Sequence, residues 1–248
     1  MTNSEGLKQL APTGKLRAGV VIAPAMSVFF AVEDAGKPRG VTVDLFGAFA
    51  GELKLPLELK LFPNSGELTA AVAAGHCDVA FMPQDAERAK SVDFGPAYYM
   101  IESTFLVPAG SKIRTLAEAN FKGARAVVIA STTTGRSAAR FLTQGTIQEV
   151  RTVDEMTAMA GRGDGDFFAL SRDAFVTLLP QLPGARVLDG GFQHTGIASA
   201  VPKGRPAALK LLSDLVERAK KSGVVRKAFD RAGFNDAEVA PAASNPSP

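Results

Sequence analysis

The 248-residue chain contains no tryptophan, one cysteine and two histidines. A lone cysteine, Cys77, excludes an intrachain disulfide, and with so few histidines it leaves too small a ligand set for a structural zinc site. Cys77 stands just before an apparent strand and reads as a small buried residue. No run approaches the ~18 consecutive apolar residues that would span a bilayer. The segment Met1–Gln9 is polar and lacks the apolar core of a secretory signal, so two readings stay open: an export signal has been removed, or there is none. A strong charge of one sign is also missing. The net charge of +3 is too mild to imply a nucleic-acid partner. The dense basic stretch Lys203–Arg231 follows a helical pattern without interleaved aromatics and reads as a solvated helix face.

What is present is ordinary globular material, 46% hydrophobic and 21% charged. At roughly 100–200 residues per domain, the length fits one large domain or two small ones. Lys15–Ile22, Leu57–Phe62 and Asp78–Met82 read as strands, with helices at Val43–Leu53 and Glu67–Ala74 between them. A second series follows Tyr99: strands at Ala126–Ile129, Ile147–Val150 and Phe167–Leu170, and helices at Thr134–Thr143 and Val153–Gly161. A third stretch has a strand at Gly196–Val201, then helices at Pro206–Lys221 and Val224–Ala232, each stopped by a glycine. The expectation is an α/β protein of two lobes, with the chain crossing between them twice and a ligand cleft between. The last residues, Ala240–Pro248, are Ala, Pro, Ser and Asn only and read as a frayed tail.

Catalytic constellations are scarce. There is no Gly-x-Ser-x-Gly elbow, Walker loop, His-Glu-x-x-His or Cys-x-x-Cys. His76 sits beside a turn glycine and reads as a surface residue, whereas His194, just before a strand, either faces the cleft or is structural. Gly161–Gly165 is glycine-rich but follows a helix, the reverse of a phosphate loop, and reads as a tight turn. Ala130-Ser-Thr-Thr-Thr134 follows a strand and opens a helix. Its amides, hydroxyls and helix dipole suit an anion in the cleft, or simply cap the helix.

The segment from Asp78 to Tyr99 resembles the signature of the family 3 extracellular solute-binding proteins, the polar amino-acid receptors of ABC importers. Asp85-x-x-Arg88 and Val92-Asp-Phe-Gly-Pro-Ala-Tyr98 follow its order and near-identical spacing. The resemblance continues through Gly14–Gly19, Gly36-Lys-Pro-Arg-Gly-Val-Thr-Val-Asp-Leu45 and the segment Ile197–Lys203. It implies a type II-like Venus-flytrap fold of two mixed sheets flanked by helices, with Ala126–Leu170 in a different sheet from Lys15–Met82. Crossovers near Met100-Ile101 and Thr195-Gly196 would make residues 1–100 and 197–248 lobe one and 101–196 lobe two. It further implies a small carboxylate ligand, a membrane permease as partner, a periplasmic location, a monomer and no cofactor. By the same resemblance Arg88 holds the ligand carboxylate, a role that suits a guanidinium fork, although a surface ion pair would also explain it. Met26, Phe29 and Ser65 match pocket-wall positions in lobe one, with core packing the alternative for Met26 and Phe29. Ser131, Thr132 and Thr133 lie in the anion-binding helix start of lobe two.

The departures bear on the ligand. The chain is shorter than the family pattern between Asp78 and Arg88, Asp85 replaces a threonine, and Pro83 stands where a backbone donor is common. The strand Asp166-Phe-Phe-Ala-Leu-Ser171 ends in serine where amino-acid receptors keep an aspartate for the α-ammonium. A small carboxylate without a free α-ammonium is therefore the expected ligand, with Asp85 the alternative acceptor if it does not pair with Arg88. Two other classes stay open. One is an enzyme on this scaffold, like the cyclohexadienyl dehydratases, for which Asp173 and Glu102 are the available acids. The other is a solute sensor detached from transport.

Overall fold

The computed structural model describes residues 4–242. Helix α1 (Ser4–Leu10) leads into strand β1 (Leu16–Val21), the hairpin β2 (Val32–Asp34) and β3 (Lys37–Arg39), and α2 (Val41–Leu53). Then come β4 (Leu57–Phe62), α3 (Ser65–Ala73), β5 (Val79–Pro83) and the long β6 (Val92–Val107). The second series comprises β7 (Arg125–Ile129), α4 (Thr133–Phe141), β8 (Thr146–Val150), α5 (Val153–Arg162), β9 (Phe167–Ser171) and α6 (Arg172–Leu178). The chain closes with β10 (Arg186–Val187), β11 (Gln193–Pro202), α7 (Pro206–Lys221) and α8 (Val224–Arg231).

The strands form a ladder in the order β4-β1-β5-β11-β6-β9-β7-β8, with β10 on β6. The sequence reading expects two separate sheets. The ladder is instead continuous, because the 16-residue β6 pairs with β11 through its first part and with β9 and β10 through its second. Met100 lies opposite Gly196 and Ile101 opposite Thr195, so the two expected crossover positions fall side by side within this pair. A Cβ on Gly196 would come within 2.8 Å of the Ala97 Cβ, which explains glycine at that position. Pro96, lacking an amide donor, falls where the register shifts between Ala198 and Ala200.

Local patterns explain most elements. The apolar stripe Ala208, Leu211, Leu212, Leu215, Val216, Ala219 follows the 3.6 period and buries one face of α7. Its outer charges pair with acids, as in Arg218–Glu52 and Lys210–Asp214. In α2, Leu45, Phe46, Phe49 and Leu53 are buried, and the Phe46 and Phe81 rings stack at 5.0 Å. Each such side chain contributes on the order of 1.5–3 kcal/mol. On β7 the faces alternate: Val127 and Ile129 join the large core, while Ala126 and Val128 join a smaller one with Phe105 and Phe167.

At the N-terminal end the described residues form a helix, and at the C-terminal end one expectation is corrected. Part of the polar stretch Met1–Gln9 lies in α1, because Leu10 is buried and the Gln9 Oε1 accepts the Ala207 and Ala208 amides at the start of α7. Ala240, read as the start of a frayed tail, is buried and donates its amide to the Tyr98 carbonyl at 2.9 Å, beside a bridge between Val239 and Tyr99. Residues 243–248 of that tail lie outside the described residues. Cys77 is buried as expected, and desolvation pushes its thiol up to about 11. The native protein should therefore resist a thiol reagent at mildly alkaline pH and react fully once unfolded. Rapid labelling of the folded chain would contradict this burial. No helix among the described residues is long and apolar enough to cross a membrane.

Candidate functional site

A partly open cavity of about 30 Å³ lies where β5, β6, β7 and β9 meet the starts of α3, α4 and α5. Its polar wall comprises Asn64, Ser65, Thr132, Thr133, Thr134 and Ser171. The remaining lining is apolar, from Phe29, Phe30, Pro63, Pro83, Ile101, Ile129, Val153 and Leu170. None of these residues is titratable.

Each wall has a local cause. The buried Ser27 hydroxyl accepts the Phe29 and Phe30 amides at 3.1 and 2.8 Å, a serine turn that sets both rings at the cavity. Asn64 caps α3 by accepting the Glu67 amide at 2.8 Å, which places Ser65 in the first turn. Thr132 caps α4 in the same way through the Gly135 amide at 3.0 Å, bringing Thr133 and Thr134 to the wall.

Arg88 lies immediately behind this wall and is 3% exposed. Its Nη1 donates to the Pro83 carbonyl at 2.8 Å and its Nη2 to the Ser65 hydroxyl at 2.7 Å, both partners being cavity residues. A longer contact of 3.5 Å reaches the Ser131 carbonyl. Its Nε–H is buried without a partner. Burial lowers the guanidinium to about 9, against the pull of Asp85, so it remains charged at neutral pH. Among the described residues no carboxylate oxygen bonds the guanidinium. It is a desolvated cation with its Nε–H unspent, the arrangement in which an incoming anion gains most.

The expected site residues divide accordingly. Phe29, Ser65, Thr132, Thr133 and Ser171 line the cavity, and Arg88 backs it. Met26 does not line it, because the chain turns toward the cavity only at Ser27, one residue later. Ser131 sits at the rim with φ 58°, exposed, and borders an open groove beside Arg136. Asp85 is likewise outside the cavity and does not pair with the Arg88 guanidinium. Its Oδ1 accepts the Arg88 amide at 2.8 Å, and its Oδ2 accepts Arg136 Nε at 2.9 Å. Partial burial works against the Asp85 charge, but the Arg88 amide and Arg136 outweigh it and hold the carboxyl below its ordinary value. Pro83, suspect for its missing donor, takes part as an acceptor: its carbonyl meets Arg88 and, at 3.4 Å, the Thr133 hydroxyl.

The two acids considered for catalysis are engaged elsewhere. Asp173 stands behind Ser171 and accepts from the Ser171 hydroxyl and from the Val28 and Ala174 amides, while desolvation pushes its carboxyl up. Glu102 pairs with Arg172 at 2.7 Å and lies 3.7 Å from the exposed His194. His76 is exposed too. Phe30, Asn64, Leu170 and the aliphatic wall are not among the residues the sequence reading singles out, whereas Thr134 belongs to its anion-binding segment. Phe30 adjoins Phe29, so adjacency alone points to it.

A mixed sheet flanked by helices, with the paired strands β6 and β11 beside a small pocket, is the fold of two-lobed binding proteins. The sequence model of the bacterial extracellular solute-binding proteins, family 3, matches residues 19–234. The chain belongs to that family. Among curated proteins, no sequence matches it. Its structure is similar to that of a solute receptor for L-cysteine of Neisseria gonorrhoeae, with a TM-score of 0.81, 21% identity and 92% of each chain covered. It is also similar to an amino acid ABC transporter substrate-binding protein of Streptococcus pneumoniae bound to L-arginine, with a TM-score of 0.80, 18% identity, and 93% of this chain and 99% of that one covered. An ancestral amino acid-binding protein, described as a precursor of cyclohexadienyl dehydratase, matches at a TM-score of 0.79 and 24% identity, over 91% of this chain and 98% of that one.

Proposed function

We propose that this solute-binding protein captures a small carboxylate with an apolar body and no free α-ammonium, and delivers it to an ABC permease from the periplasm as a monomer. The observation that carries the reading is Arg88, a buried guanidinium behind the cavity wall whose Nε–H has no partner. The ligand carboxylate meets Arg88 past the Ser65 hydroxyl, assisted by the helix start at Thr132 and Thr133. Phe29, Phe30, Ile101 and Leu170 accept the apolar part once the halves part and widen the cavity, which at about 30 Å³ has room for a single water-sized group. An ammonium would find little. Asp85 is committed to Arg136 and the Arg88 amide, and the oxygens of Asp173 are occupied by amides and the Ser171 hydroxyl. A desolvated cation without a free anionic partner costs several kcal/mol. The described parts of residues 1–100 and 197–248, and residues 101–196, are the proposed lobes, which close over the ligand about the Met100–Gly196 crossing.

Binding rather than turnover is the proposed activity, since no general acid or base is among the residues lining the cavity. A thermal-shift screen over short-chain carboxylates and the common L-amino acids tests the reading, because a ligand that binds only the folded state raises its melting temperature. Shifts confined to carboxylates are expected. Shifts with several amino acids and with no deaminated acid would contradict it.

A further inference from the structure

Direct contacts between the two halves ring the cavity. Asp85, just after β5, holds Arg136 of α4, with Nε to Oδ2 at 2.9 Å and a second, shorter contact from Nη2. Glu67 in α3 pairs with Arg151, just before α5, at 2.7 and 3.2 Å. The Asn64 side-chain amide, beside it, donates to the Arg151 carbonyl at 3.0 Å. Between these pairs the backbones touch: a Cβ on Gly66 would lie 2.6 Å from the Ser131 Cβ and 3.0 Å from its carbonyl oxygen. Ser131 takes up its left-handed backbone at this contact.

We infer that these pairs form an electrostatic latch, by which the two halves attract each other at the cleft rim independently of any bound solute. The inference rests on the two-lobe closure proposed above. Each half contributes one sign. Asp85 and Glu67 present carboxylates from the first half, and Arg136 and Arg151 present guanidiniums from the second. Opening the cleft separates both pairs at once, whereas folding of each half depends on neither. Arg151 and Glu67 are largely solvated, so salt screens their attraction, and the closed population should fall as ionic strength rises. Asp85 and Arg136 are more enclosed and keep more of theirs. The latch would set how much of the protein is already closed when solute arrives, and so tune apparent affinity through residues that touch no ligand.

Small-angle scattering of the full chain without added solute tests this, with salt raised from about 0.01 to 1 M to shrink the screening length from roughly 30 to 3 Å. The parent should be compact at low salt and expand at high salt. Arg151→Glu should be expanded already at low salt, and the exchanged pair Arg151→Glu with Glu67→Arg should restore compaction. A parent whose radius of gyration ignores salt, together with an Arg151→Glu protein that scatters like the parent, would overturn the latch. Gly66→Val separates that failure from failure of closure itself. Its side chain wedges against Ser131, so it should stay expanded at every salt concentration if the halves close there. If it scatters like the parent, the closure reading fails as well.

Discussion

Replacing Asp78 with asparagine should destabilise the folded chain by about 3–5 kcal/mol, the range for breaking a buried ion pair by removing one partner. Asp78 has no exposed side-chain surface. Its Oδ2 and Oδ1 receive Arg17 Nε and Nη2 at 2.8 and 2.6 Å, and Oδ1 also receives Arg205 Nη1 at 3.0 Å. One carboxylate thus ties β1, the start of β5 and the entrance to α7, where Arg205 also donates to the Gln9 carbonyl of α1. Asparagine keeps the shape but leaves two partly buried guanidiniums without a counter-charge. At roughly 2–4 °C per kcal/mol for a chain of this size, melting should fall by about 6–20 °C. Denaturant titration of parent and variant checks the value, and a change below about 1 kcal/mol would show that this three-way contact is nearly neutral.

Arg88→Ala should cost on the order of 2–5 kcal/mol of ligand binding, between tens and thousands of times in affinity. Its effect on stability should have the opposite sign or vanish. Arg88 is desolvated with no carboxylate on its guanidinium and an unpaired Nε–H, so the folded state bears the cost of its burial. A residue serving only the fold would lose stability when truncated. An Arg88→Ala protein that melts no lower than the parent yet fails to bind separates the two roles. Binding within twofold of the parent would remove Arg88 from the site.

The two roles of charge in this chain were unequally legible from its sequence. The alternation of strands and helices was readable because each buried face follows a simple period, as in α7, and because glycines mark the helix ends. The long β6 was not, since Gly95 and Pro96 interrupt its pattern and a register shift accommodates them. Arg88 is singled out by its motif, and Thr132 and Thr133 by their position at a helix start. Where Asp85 would point was undetermined, because its partner Arg136 is 51 residues away and meets it only through tertiary closure. Local spacing makes the pair Asp85–Arg88 equally plausible. Ser171 marked the altered strand end, yet nothing in the sequence revealed that Asp173 behind it is filled by amides.

The central claim is that the site accepts an anion and lacks a place for a cation. Calorimetric titration with a matched pair, 4-methylpentanoate and L-leucine, isolates the ammonium, because the two share the carboxylate and the branched body. The account predicts measurable binding of the deaminated acid and a loss of at least about tenfold, or 1.4 kcal/mol, on adding the α-ammonium. L-Leucine binding as tightly as its deaminated partner, or more tightly, would contradict it.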